Sequence, residues 1–214
     1  MRILPVFGDA FVRSLNNKSV LDESDFDRIR GELQKYDEKR EKVIKTSRDI
    51  QKASKVAIFA LHRKDFDGAS KKLSFALETA TKLLPVIEEE PTLRHGSYSN
   101  ALEEYAEAEI FQHYLLHGRL LPMAKFTHLY KNEEYLGGVL DFCGELNRYA
   151  VQKATARDEK EVKKCRDLVE NIMDQYLKVS SRDQMQQRHC LALPVGPNHT
   201  DSDSLVSLAF LCAV

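Results

Sequence analysis

The longest uninterrupted helical pattern in the chain lies between residues 24 and 62. Apolar residues recur there in alternating steps of three and four, no proline interrupts the segment, and its only glycine is Gly31. At about 1.5 Å per residue, such a helix is about 60 Å long and must pack along several others or along another subunit. The pattern therefore predicts an all-α protein. The apolar stripe consists of Phe26, Ile29, Leu33, Tyr36, Val43, Ile50, Ala57 and Leu61.

Further helical patterns follow along the chain. Asp67 begins the second helix, and Pro85 predicts its end because proline interrupts helical hydrogen bonding. Residues 88–100 are rich in turn formers and charge, which is typical of a loop. No strand signal is strong enough to build a sheet, so we predict an antiparallel bundle of about six helices. The remaining predicted pieces are a helix from Ser99 or Asn100 to Arg119, a short one over 122–130, one capped by Asn132, and a last one over 158–179.

The helical pattern divides the chain into three parts. Residues 1–19 form an N-terminal segment, 20–181 a helical domain, and 182–214 an atypical tail for which disorder is one interpretation. The tail ends in the apolar run LVSLAFLCAV, which is about half of the ~20 residues that a membrane-spanning helix needs. We therefore expect no membrane insertion.

Composition indicates a soluble, helix-rich protein, because 30% of the residues are charged and 43% are hydrophobic. The net charge of −1 favours no particular partner, although a balanced total can hide a local basic patch. The start of the chain has no long apolar stretch typical of a signal peptide. We expect a cytoplasmic protein, with nuclear entry left open. The cysteines have no short-spaced pair and are interpreted as reduced thiols: Cys143, Cys165, Cys190 and Cys212.

Two pairs of acids give the most specific chemical signal. Glu104 and Glu107 are three residues apart and share a helix face, and Asp141 and Glu145 are four apart on another helix. If the two faces meet, the carboxylates repel one another unless a hard divalent cation such as Mg²⁺ or Mn²⁺ balances them. We call these four residues the acidic quartet. A metal held there can activate water against a phosphodiester.

Spacing alone does not distinguish such a site from a solvated helix face. Glu103 and Glu109 lie on the same predicted helix, so acids are frequent there in any case. Gly137 and Gly138 inside the next helix each cost about 1 kcal/mol relative to alanine, which indicates that another helix comes close.

Other candidate sites carry weaker signals. His113 and His117 have the spacing of a helical zinc pair, but no third ligand is evident. The basic residues of the first and last helices, Lys55 among them, are typical of solvent-exposed faces, and the alternative is that a subset of them tracks a phosphate backbone. Arg119 and Arg148 lie nearest the acids in sequence and are the candidate RNA-binding residues.

Three stretches of the chain carry sequence motifs: TSRDIQKASKVAIFALHR (46–63), LEEYAEAEIFQHYLLHGRL (102–120) and EEYLGGVLDFCGELNRYAV (133–151). Together they resemble the translin family, and within it the branch of translin-associated factor X (TRAX). Glu104 and Glu107 match the two acids of its second motif, and Asp141 and Glu145 match the Asp and Glu of its third. The resemblance covers roughly residues 20–180 in family order. The tail departs from it, because residues 182–214 do not resemble the family's Lys- and Leu-rich last helix.

The resemblance implies a translin-like bundle that assembles with translin into a hetero-oligomer enclosing RNA. It also implies a Mg²⁺-dependent endoribonuclease, with the acidic quartet as catalytic residues and metal ligands, acting on single-stranded or nicked RNA. The implied processes are passenger-strand removal in RNA silencing and tRNA-fragment processing. The alternative is a non-catalytic subunit that stabilises translin and binds single-stranded nucleic acid. A third interpretation is a helical interaction domain whose acids are only solvated.

Overall fold

The long first helix is confirmed in the computed structural model, which describes residues 23–126 and 129–180. Five α-helices form in these residues, close to the six predicted, and no strand occurs among them. The termini predicted as an N-terminal segment and an atypical tail lie outside the described residues. The helices are α1 (Glu23–His62), α2 (Phe66–Glu89), α3 (Ser97–His117), α4 (Asn132–Thr155) and α5 (Glu159–Ser180), with 3₁₀ turns at Pro91–Arg94 and Met123–Lys125.

The stripe of α1 is buried in the second half of the helix. From Val43 onward, Ile50, Ala57 and Leu61 are almost fully buried. The Ser54 hydroxyl within this stripe donates to the Ile50 carbonyl at 3.0 Å, so its polar group is satisfied inside the core.

Residues 23–42 of α1 form a separate compact unit. In that unit Phe26, Ile29 and Leu33 are exposed, unlike the apolar residues of the second half. Surface ion pairs join Arg28 to Glu32 at 3.1 Å and Arg30 to Asp27 at 2.9 Å. Each such pair contributes a few tenths of a kcal/mol, roughly, to an exposed helix.

The prediction that the second helix ends at Pro85 is wrong, because α2 continues to Glu89. Burying an isoleucine stabilises a fold by about 1.5–3 kcal/mol, which is comparable to the ~3 kcal/mol cost of an internal proline. Ile87 is 4% exposed, so the turn after Pro85 gains this burial. The Glu90 amide donates to the Val86 carbonyl at 3.0 Å and closes the helix end.

The predicted loop over 88–100 is also partly wrong, since it contains a 3₁₀ turn and the first residues of α3. Gly96 allows α3 to begin at Ser97, because its φ of 91° is a conformation that favours glycine. The guanidinium of Arg94 is buried, lies 2.6 Å from the Glu134 carboxylate and donates to the Leu129 carbonyl at 2.8 Å. A buried ion pair therefore fixes a segment whose charge suggested a solvated loop.

The connection between α3 and α4 is less helical than predicted. The short helix expected over 122–130 is a single 3₁₀ turn within the residues described there. The Lys131 amide donates to the Glu134 carboxylate at 2.6 Å, so the cap of α4 lies one residue before the predicted Asn132. The last helix agrees with its prediction, and the Asp158 carboxylate caps it by accepting from the Glu161 amide.

Helix α3 is the centre of the core and packs against both α2 and α4, while α5 packs on α4. Within the described ranges, no helix is long and apolar enough to cross a membrane. Cys143 and Cys165 are free thiols, as predicted, and the other two cysteines lie outside these ranges. The largest fully buried side chains include Tyr98, Leu102, Tyr105, Ile110 and Phe111 of α3 and Phe142 and Leu146 of α4.

Candidate functional site

Gly138 brings α3 and α4 into backbone contact. A Cβ atom placed on Gly138 would lie 2.6 Å from the Ala106 Cβ and 2.9 Å from the Glu107 backbone nitrogen. A Cβ atom on Gly137 would lie 2.8 Å from the Glu103 side chain. The predicted close approach is confirmed, and it occurs beside Glu107. The same crossing places the next turn of α4, which carries Asp141, along the acidic face of α3.

The two acidic pairs meet at one open cavity of about 490 Å³. Two of the four acids come from α3 and two from α4, so both helix faces that the sequence singled out border the same space. The lining residues are Lys55, Ile58, Phe59, Glu104, Glu107, Asp141, Glu145 and Arg148.

Glu107 is the most buried member of the acidic quartet, with 8% exposure. Burial is the largest cause of a rise in the pKa of its carboxyl to about 8, and the charges of Asp141, Glu104 and Glu145 contribute to the same rise. Lys55 acts in the opposite direction and lowers this pKa. The other three carboxylates are therefore close enough to disfavour a negative charge on Glu107.

Two cations among the described residues face the acidic quartet. The Lys55 ammonium lies 3.0 Å from the Glu104 carboxylate, and this hydrogen bond and charge raise the pKa of Lys55. The Arg148 guanidinium lies 3.7 Å from Glu145 on the same helix. Both cations keep more than half of their side-chain surface exposed. They can therefore move away without unfolding the core.

His62 contacts the site from the end of α1. Its Nε2 atom is hydrogen-bonded to the Glu145 carboxylate, and only 5% of its side chain is exposed. The imidazole ring lies 4.7 Å from the Phe111 ring, measured between centroids, which holds it in place from the core side. The Nδ1 atom is buried and has no hydrogen-bond partner within the part of the chain that the structure describes. His62 therefore fixes the orientation of Glu145.

Sequence reasoning missed both Lys55 and His62. They are seven residues apart on α1, which places them two turns apart on one face of the helix. Both lie in the motif of residues 46–63, which carries part of the family resemblance but no predicted site residue. The acidic pairs indicated α3 and α4, whereas the site also includes α1.

The donor atoms of the acidic quartet suit a hard divalent cation, since all of them are carboxylate oxygens. In residues 23–126 and 129–180, however, no three His, Cys, Asp or Glu side chains are placed to hold an ion together. Glu104 and Glu145 instead contact Lys55, His62 and Arg148. The shared metal ion therefore stays a prediction.

The structure separates the two candidate RNA-binding arginines. Arg148 lines the cavity, whereas Arg119 is exposed beyond the end of α3 and is not among the lining residues. The rings of His113 and His117 lie 4.4 Å apart, and His113 Nδ1 lies 3.0 Å from the Arg119 carbonyl oxygen. No third ligand joins them among the described residues, so the zinc interpretation gains no support.

Comparisons with known proteins agree on one family. Residues 38–190 match the Translin family. The Translin-associated protein X homolog of Schizosaccharomyces pombe is 30% identical over 186 residues, which cover 78% of this chain and 80% of the relative.

The fold is similar to those of solved C3PO structures. The crystal structure of apo-NeC3PO superposes with a TM-score of 0.67 at 20% identity, covering 91% of this chain and 95% of that one. The AfC3PO–duplex RNA complex gives a TM-score of 0.65 at 22% identity, covering 73% and 80%. At these identities the likeness establishes the helical fold.

Proposed function

The chain belongs to the translin family, and from this premise we propose that it is the Mg²⁺-dependent endoribonuclease subunit of a complex with translin. Its substrate is single-stranded or nicked RNA, and water is the nucleophile. The acidic quartet holds the ion. Mn²⁺, which accepts the same oxygen ligands, can substitute for it.

One observation carries this proposal: four carboxylates from two helices border one cavity, and three of them raise the pKa of the fourth. The repulsion among these carboxylates is unfavourable by itself, and a bound cation would relieve it. When bound there, Mg²⁺ would supply a water of lowered pKa and neutralise charge on the phosphodiester.

The chain's own cations complete the site. Arg148 and Lys55 line the cavity with flexible, exposed side chains that can bind the phosphates on either side of the cleaved bond. His62 keeps the Glu145 carboxylate in one orientation, so the acid need not reorganise when an ion arrives. Ile58 contributes apolar surface to the cavity wall, which limits the water around the reacting phosphate.

Relatives support a nucleic-acid role for this fold. The relative in Schizosaccharomyces pombe is a homologue of translin-associated protein X, and AfC3PO has been solved with duplex RNA. We infer that this chain likewise acts within a translin-family oligomer, with translin as its partner.

The proposal is tested with the chain co-purified with translin. A fluorescently labelled single-stranded RNA is incubated in Mg²⁺ or in EDTA with the wild-type, Asp141→Asn and Glu103→Gln complexes. We expect Mg²⁺-dependent cleavage by the wild type and no cleavage by Asp141→Asn. Glu103→Gln is the matched control, because this acid lies on α3 next to Glu104 but does not line the cavity. Equal cleavage by all three complexes would overturn the site.

A second candidate function is a non-catalytic subunit that binds single-stranded nucleic acid and stabilises translin. The contacts of Lys55 with Glu104 and of His62 with Glu145 favour it, because they partner two acids without any ion. RNA that is bound in EDTA and remains intact in Mg²⁺ would support this alternative.

A further inference from the structure

Phe59 is a large aromatic side chain with 55% of its surface exposed, one turn after Lys55 on α1. Arg63 follows one turn later, and its guanidinium carbon lies over one face of the Phe59 ring, 5.5 Å from the ring centre, so the other face of this half-exposed ring is the one that can take a base. We call Lys55, Phe59 and Arg63 the basic–aromatic stripe. An aromatic face between two cations is the arrangement that proteins use to bind single-stranded nucleic acid, with bases on rings and phosphates on cations.

The Phe59 ring lies at the candidate site and not elsewhere on α1. Phe59 lines the same cavity as the acidic quartet, and Lys55 contacts Glu104 directly. A nucleotide whose phosphate lies at the quartet therefore has its base within reach of the Phe59 ring. Arg148 of α4 also lines the cavity and is a further cation for the backbone.

The charges around the ring favour RNA over an apolar protein surface as its partner. Val56, with 42% exposure, is the apolar neighbour of Phe59 on α1, so a small apolar patch exists. Lys55 and Arg63 flank that patch, and desolvating them against an apolar partner would cost free energy. A polyanion with planar bases matches the ring and both cations.

We propose that Phe59 is a stacking platform for an unpaired RNA base next to the phosphate bound at the acidic quartet. This inference rests on the proposed function and deepens it, because it explains why the site prefers unpaired RNA. A base inside a continuous duplex is already stacked on both faces, whereas an unpaired base can turn a free face to Phe59. The contact is tolerant of sequence because every base has a π face.

A fluorescent variant tests the stacking directly. The chain contains no tryptophan, so Phe59→Trp places its only tryptophan at the platform. The variant complex with translin is titrated with a 12-nucleotide uridine RNA in a buffer that contains Ca²⁺ in place of Mg²⁺. The wild-type complex provides the fluorescence background. We expect quenching by this RNA, and much weaker quenching by an abasic strand of equal charge or a blunt duplex. Equal quenching by the abasic strand would overturn the stacking contact.

Affinity measurements distinguish base stacking on the aromatic ring from simple apolar contact with the Phe59 side chain. We expect Phe59→Ala and Phe59→Leu to weaken single-strand binding by roughly 5- to 150-fold, the range for one lost base–aromatic stack. Phe59→Tyr should bind within about twofold of the wild type, because it keeps the π face. Phe75→Ala is the control, since Phe75 is 50% exposed on α2 but does not line the cavity. Wild-type affinity in Phe59→Leu would contradict the proposal.

Cleavage and binding measurements distinguish a failure of the stacking platform from a failure of the proposed endoribonuclease. If Asp141→Asn abolishes cleavage while Phe59→Ala binds RNA as the wild type does, the stacking platform is wrong and the endoribonuclease stands. If the wild type never cleaves but Phe59→Ala loses binding, the catalytic proposal is wrong and the stacking platform stands. Tryptophan emission already blue-shifted without RNA, and unchanged by it, would show a protein contact at Phe59 and overturn the inference.

Discussion

The Lys55 ammonium lies 3.0 Å from the Glu104 carboxylate, so a cation of the chain itself stands against the acidic quartet. Lys55 keeps 65% of its side chain exposed and Glu104 keeps 23%. An ion pair this accessible contributes about 1 kcal/mol or less. A divalent ion carries twice the charge of Lys55 and can displace it at little cost.

Replacing Lys55 with methionine should therefore tighten binding of a divalent ion. The variant removes the competing cation and leaves the site more negative. We expect the Mn²⁺ dissociation constant, measured by electron paramagnetic resonance, to fall about two- to fivefold. Lys52→Met is the control, because Lys52 is exposed on α1 outside the cavity. Weaker Mn²⁺ binding in Lys55→Met would indicate that Lys55 supports the ion.

Glu107→Gln should stabilise the metal-free protein near pH 8. Burial and its acidic neighbours raise the pKa of Glu107 to about 8, so the folded state keeps a proton that the unfolded state loses above about pH 4.5. The wild-type free energy of unfolding therefore falls as pH rises from 4.5 to 8, and glutamine removes this loss. We expect the variant to be more stable by roughly 1–3 kcal/mol at pH 8 and equal near pH 4.5 in urea unfolding.

Divalent ions supply the matching control for Glu107. Adding Mg²⁺ at pH 8 should raise the melting temperature of the wild type, because a ligand that binds only the folded state stabilises it. The Glu107→Gln variant should gain much less. A pH profile that is identical in the two proteins would refute the burial effect, whatever their activity.

The first helix and the acidic faces were predictable because each follows from periodicity along one segment. The predicted helix end at Pro85 is wrong because the burial of Ile87, which offsets the cost of the proline, is a tertiary contact that the local sequence does not reveal. Arg94 and Glu134 are forty residues apart, so no local pattern reveals that their ion pair folds the segment before α3. Lys55 and His62 reach the site because of the way α1 lies against α3 and α4. Helical spacing within one segment gives no information about this packing.

Gly138→Ala should separate α3 from α4. The added methyl group would lie 2.6 Å from the Ala106 Cβ and 2.9 Å from backbone atoms of Glu103 and Glu107, and these cannot all yield. We expect a loss of about 1–3 kcal/mol in the free energy of unfolding, together with weaker Mn²⁺ binding.

Gly144→Ala provides the control on the same helix. A Cβ atom there meets nothing within 4 Å, so alanine should stabilise α4 by up to about 1 kcal/mol and leave Mn²⁺ binding unchanged. If the two alanine variants behaved alike, the close helix contact would have no role at the site.

His62 should act as a positioning residue for Glu145. His62→Leu retains apolar bulk against Phe111 but removes the hydrogen bond to the carboxylate. We expect Mn²⁺ affinity to fall about 10- to 100-fold, the usual cost of losing a partner that orients a metal ligand. His62→Gln, whose amide can still donate to Glu145, should recover part of the affinity. Unchanged Mn²⁺ binding in the leucine variant would limit His62 to a role in packing.

Anomalous X-ray scattering from crystals of the complex soaked in Mn²⁺ shows whether the acidic quartet binds a metal ion. We expect an anomalous peak in the cavity, about 2.0–2.6 Å from carboxylate oxygens of both acidic pairs, with Lys55 displaced from Glu104. No peak at saturating Mn²⁺, with Lys55 still on Glu104 and His62 still on Glu145, would contradict the claim that the acidic quartet is a metal centre.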